Sequence, residues 1–92
     1  RGVVGLTKNA AMEFGIKVIG ENAVGPGGIR TESLRRGLDE KPGGEKRLLK
    51  LQPIVRLGDP AEVGKVVAFL CSDDASFVTG HAMPVDGGCV AI

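Results

Sequence analysis

A proline followed by two glycines, Pro26-Gly27-Gly28, sits where an apolar stretch gives way to the run Asn22 to Thr31, NAVGPGGIRT. Proline has no N–H to give a neighbouring strand and glycine has no Cβ, so a strand entering this run must end in it. The same two properties leave the peptide groups of the turn open to close approach. Ligands of open α/β sheets sit at the carboxyl ends of strands, which makes the turn a candidate contact for a flat, polar ligand. Alone, a Pro-Gly-Gly run is also an ordinary turn.

A second local constraint lies downstream. Asp59, Pro60 and Glu62 occupy the N-cap, first and third positions of an N-terminal capping arrangement, so a helix starts there and is expected over 59–71. Val63, Val66, Val67 and Leu70 form its apolar stripe, Asp73-Asp74 ends it, and Cys71 reads as a small buried hydrophobe. After a turn through Ser76 to Gly80, residues 82–86 read as a short strand broken by Gly87-Gly88. Pro84 assigns that strand to a sheet edge.

Upstream, Val3, Leu6, Ala10, Ala11 and Phe14 recur at spacings of three and four, predicting a helix over 1–15 with Gly15 at its exit. A strand is expected between Ile16 and Val24, within a strand-and-loop unit spanning 16–31. From 32 to 52 the chain is charged around Leu34, Leu38, Leu48, Leu49 and Leu51, which suits one or two amphipathic helices about a Pro42-Gly43-Gly44 break.

Composition removes several classes of function. The chain has 92 residues, so it holds at most one small domain. Its 12 basic and 11 acidic residues nearly cancel, and its three phenylalanines are its only aromatic residues, so it has neither the charge nor the stacking groups of a nucleic-acid binder. No apolar run approaches the ~20 residues that span a bilayer, and the start lacks the features of a signal peptide. A cytoplasmic location is expected. Cys71, Cys89 and the single His81 make neither a disulfide framework nor a metal site. Cys89-Val90-Ala91-Ile92 formally matches a prenylation box, but no polybasic run or second acylation cysteine supports it.

Taken in order, RGVVGLTKNAAMEFG, NAVGPGGIRT, GDPAEVGKVVAFLCSDDASFVTG and MPVDGG resemble the C-terminal portion of the short-chain dehydrogenase/reductase family. Only the stretch from about Glu32 to Gln52, variable in that family, falls outside the likeness. The resemblance implies an α/β fold: the C-terminal part of a Rossmann-like doubly wound parallel sheet, incomplete as a stand-alone domain. It also implies that the parent is an NAD or NADP-dependent oxidoreductase interconverting an alcohol and a carbonyl. Carried over position by position, backbone groups at Pro26, Gly27 and Ile29 face the nicotinamide, and the Thr31 hydroxyl bonds its carboxamide or the pyrophosphate. Residues 32–52 become a substrate lid whose leucines line the pocket, though a plain surface pair of helices explains the pattern equally well, and the first helix, the 59–71 helix and the edge strand meet a second subunit in a dimer or tetramer. For the first helix, a stripe facing only the sheet explains the pattern equally well.

The family's chemistry rests on a Tyr-x-x-x-Lys pair and an upstream Ser, and its phosphate site on a Gly-rich turn. This chain has no tyrosine, the family's Lys falls just before Arg1, and no such glycine spacing precedes a strand. Lys8 has no tyrosine partner, and Ser33, Ser72 and Ser76 lack an activating His or Asp, so no residue is read as catalytic. The isolated chain is expected to be inactive. Ile19-Gly20-Glu21-Asn22 also departs from the family pattern, placing a carboxylate where a buried strand wants an apolar side chain. Two other readings follow: a noncatalytic module that docks on full-length relatives through exposed apolar faces, or a gene fragment without function.

Overall fold

The computed structural model describes residues 1–91, so the last residue of the Cys89-Val90-Ala91-Ile92 match lies outside the described residues. Helix α1 spans Gly2–Phe14, strand β1 Ala23–Pro26, α2 Glu32–Asp39, α3 Gly44–Leu49, α4 Pro60–Leu70 and β2 Ala82–Val85. Short 3-10 turns follow α1 and α4 and close the chain at Cys89–Ala91.

β1 and β2 pair in parallel, with Ala23 opposite Ala82 and Pro26 opposite Val85. A parallel pair needs a long crossover, here supplied by α2, α3 and α4, and α4 packs on both strands while α1 packs on β1. Ala23 N–H donates to the His81 carbonyl at 2.8 Å and Gly27 N–H to the Val85 carbonyl at 3.0 Å. The alternation set by those two bonds turns Pro84 away from β1, so its missing N–H falls on the open edge, as its sequence position implies.

β1 starts later than the run from Ile16 to Val24 predicts. Gly15–Lys17 forms a 3-10 turn, Val18 closes it in the left-handed region at φ 61°, and Ile16 and Val18 are 89% and 90% exposed. The strand begins where it finds a partner. Just before it, the Asn22 side chain donates to the Val78 carbonyl at 3.1 Å and accepts from His81 N–H at 3.1 Å. Glu21 N–H donates to Thr79 Oγ1 at 3.0 Å. Glu21 therefore precedes the strand and is partly exposed, so its carboxylate never enters a buried sheet face.

On α1 the stripe also differs. Thr7 and Ala11 are buried, with Val4, Ala10 and Phe14 beside them, whereas Val3 and Leu6 are each 70% exposed. The sheet is covered by a face rotated from the one the sequence marks out. Cys71, expected to be buried, is exposed at the C-cap of α4.

Candidate functional site

β1 delivers Pro26 to the lip of a cleft. Beyond it, Gly28 to Arg30 runs beside Gly58, with Gly58 N–H donating to the Gly28 carbonyl at 2.9 Å and Arg30 N–H to the Gly58 carbonyl at 2.7 Å. In this isolated parallel bridge the N–H and C=O of Ile29 both turn away from Gly58. The Ile29 carbonyl accepts from Thr31 N–H at 2.8 Å, and the Ile29 N–H makes no hydrogen bond among the described residues.

Thr31 begins α2 as its N-cap, the Oγ1 accepting from Leu34 N–H at 3.1 Å. Accepting that bond leaves the hydroxyl proton free to donate elsewhere. Pro26, Gly27, Ile29 and Thr31 all line one cleft of about 440 Å³, together with Leu34, Pro60 and Val63. The four residues singled out in the sequence are thus brought together. Leu34 belongs to the leucines expected to line a pocket, but the sequence marks Pro60 only as a first helical position and Val63 only as part of an apolar stripe.

Gly27 has a different reason to be glycine from the one its turn implies. A Cβ there would lie 2.7 Å from Asp86 Cα and 2.8 Å from Asp86 Cβ, so the missing side chain lets the ends of β1 and β2 close together. Packing against Asp86 is by itself enough to exclude a side chain at this position, which also lines the cleft.

Two ion pairs brace the rim. Arg30 lies 3.5 Å from Asp59, both well exposed, a pair that contributes little in water. Arg56 grips Glu62 with two bonds of 2.8 and 3.0 Å, while Glu62 also accepts from Asp59 N–H at 2.9 Å as the returning arm of the capping box. Those bonds, the guanidinium's first, hold the Glu62 carboxyl down at about 2. The cleft lining carries no ionisable side chain among the described residues.

A parallel strand ending in a Pro-Gly turn at an apolar cleft, with a helical crossover back to an edge strand, defines the C-terminal part of a Rossmann-like α/β protein. The family model for enoyl-(acyl carrier protein) reductase matches residues 1–90, and the chain belongs to the short-chain dehydrogenase/reductase family. It is 52% identical to a cyclohexanol dehydrogenase of Acinetobacter sp. strain SE19, over 94% of this chain and 32% of that protein. The structure of a 4-hydroxyisoleucine dehydrogenase complexed with NADH matches 99% of this chain and 37% of its own, at TM-score 0.90 and 35% identity. ElxO with NADP bound matches 98% of this chain and 36% of its own, at TM-score 0.87 and 41% identity. The chain thus spans about a third of the length of the relatives it matches.

Proposed function

We propose that these residues form the nicotinamide side of an NAD(P)-dependent oxidoreductase that interconverts an alcohol and a carbonyl. The observation that carries this reading is the cleft itself: two unspent donors, the Ile29 N–H and the Thr31 hydroxyl, beside an otherwise apolar lining. That pairing fits a nicotinamide, whose ring wants apolar walls and whose carboxamide wants a few fixed polar partners. The bound cofactor supplies hydride chemistry. The protein's part here is to orient it: Pro26 and Gly27 bound the ring, and Ile29 and Thr31 hold its polar edge so that one face meets the substrate.

The α2–α3 segment follows the cleft directly and supports the lid assignment, with Leu34 lining the cleft and the charged residues facing water. Exposed Val3, Leu6 and Met12 on α1, with Val67 on α4, support a homo-oligomeric interface. No helix among the described residues is long and apolar enough to cross a membrane, and free Cys71 and Cys89 suit a reducing cytosol. NADH and NADP in the two structural neighbours make either cofactor chemically compatible with the cleft.

Three substitutions at Thr31 in the natural protein test the assignment. Thr31→Ser keeps both the helix cap and the donor, and it is expected to bind NADH and NADPH as the unaltered protein does. Thr31→Asp keeps the cap but has no proton to donate, and is expected to bind about tenfold more weakly with α2 intact. Thr31→Val loses both. Equal dinucleotide affinity for the Asp and Ser variants in titration calorimetry would overturn the assignment.

A further inference from the structure

Gln52, the one buried amide side chain among the described residues, lies outside the cleft and bonds the loop that lines it. Gln52 is only 5% exposed and sits just after α3, where the lid segment ends. Its Oε1 accepts from Gly28 N–H at 2.8 Å and its Nε2 donates to the Arg56 carbonyl at 3.0 Å. The amide orientation is fixed by this pair, because only one assignment gives the N–H an acceptor and the carbonyl a donor.

The surroundings of Gln52 are held in turn. Ile54 N–H donates to the Gly87 carbonyl at 2.9 Å, and a Cβ on Gly88 would come within 3.0 Å of Pro53, so residues 52–54 lie against the turn that follows β2. On the other side, a Cβ on Gly28 would meet Gln52 Oε1 at 3.0 Å and Leu48 of α3 at 3.2 Å. Gly28 is therefore pressed on the end of the lid and held by two hydrogen bonds, its N–H donating to Gln52 and its carbonyl accepting from Gly58 N–H, and the next residue is Ile29.

We infer that Gln52 is a positioning residue: by anchoring Gly28 to the base of the lid it presents the Ile29 N–H to the ligand of the cleft. This rests on the nicotinamide reading of that cleft. No other side chain bonds the Gly28 N–H among the described residues. A hydrophobe at 52 would leave that donor without a partner and loosen the Gly27–Gly28 peptide, so that the bonds to Gly58 alone would have to hold the loop. Glutamate keeps the acceptor for Gly28 but loses the donor to Arg56. Asparagine keeps the amide one methylene short, unable to span both partners.

The test separates positioning from folding by comparing a ligand that reaches the cleft with one that does not. In the natural protein, affinities for NADH, NADPH and ADP-ribose are measured for Gln52→Met, Gln52→Glu and Gln52→Asn. Gln52→Met and Gln52→Asn are expected to lose about tenfold in dinucleotide affinity while ADP-ribose affinity stays within about twofold. Gln52→Glu is expected to recover most of the dinucleotide affinity even where its thermal stability falls. Should Gln52→Met fail to fold, Gln52→Asn and Gln52→Glu carry the comparison.

A merely structural role would lower both affinities together or neither, and that result, or Gln52→Glu behaving like Gln52→Asn, overturns the inference. Thr31→Asp is run alongside. If it changes the ratio of dinucleotide to ADP-ribose affinity and the Gln52 variants do not, only the role of Gln52 falls. If Thr31→Asp binds the dinucleotides as tightly as Thr31→Ser, the cleft reading fails and the inference fails with it.

Discussion

At Gly27 a single hydrogen atom in place of a methyl group decides whether two strands can end side by side. The atoms a Cβ would meet are Asp86 Cα and Cβ, at 2.7 and 2.8 Å, and both are held in place. Asp86 Oδ1 accepts from Gly88 N–H at 2.9 Å and Oδ2 from Val90 N–H at 3.1 Å, so this residue cannot swing aside without breaking its own turn. Gly27→Ala is therefore expected to destabilise the natural protein by about 1–3 kcal/mol through overpacking. The loss should appear in urea denaturation with no cofactor present. An unchanged midpoint would mean that β1 and β2 part at no cost, contrary to the geometry. Nothing near Gly27 in the sequence points to Asp86, since their proximity is created by the crossover between the strands. The candidate residues Pro26, Gly27, Ile29 and Thr31 were legible as a group because a turn after a strand is a local pattern, whereas this packing was not.

The start of α4 shows what local chemistry can specify. Proline at the first position, a carboxylate returning to the N-cap N–H and an arginine clamped on that carboxylate all act within a few residues, and the helix begins at Pro60 as they require. Because the Glu62 carboxyl is held near 2 in the folded protein, against about 4.3 when free, its contribution is complete above about pH 4.5 and disappears as pH falls towards 2. Glu62→Gln should remove this component of acid sensitivity, and added salt should weaken it because both partners are solvent-exposed. Acid-unfolding curves of the two proteins that superimpose at low ionic strength would contradict it. β1 is the opposite case. Ile16 to Ile19 has the composition of a strand, but the left-handed Val18 and the ties from Glu21 and Asn22 to residues 78–81 delay the strand until it can pair with β2. Strand limits depend on a distant partner, and helix starts do not.

The molecule as a whole exposes more than a closed domain of its mass would. Its accessible area is 6890 Å², about 1,900 Å² above the ~5,000 Å² typical of a folded 9.5 kDa monomer. Its radius of gyration is 15.6 Å where about 12 Å is usual for this length. Ala11 and Ala75 are its only buried hydrophobic residues among those described, and Phe77 stands fully in solvent. The two paired strands have α1 and α4 packed on them, but among the described residues this packing buries no large apolar side chain. The free edges of the sheet are therefore open to further strands, and Val3, Leu6 and Met12 of α1 remain exposed as the face proposed above for a second subunit. Expressed by itself, this 92-residue segment is expected to retain some helix by far-ultraviolet circular dichroism, to bind a hydrophobic dye and to melt without a cooperative transition. Adding the remainder of the natural protein as a separate polypeptide should quench the dye signal and restore a sharp transition. A cooperative melt of the segment alone, with no dye binding, would instead show that these few contacts suffice and that its apolar faces are not open.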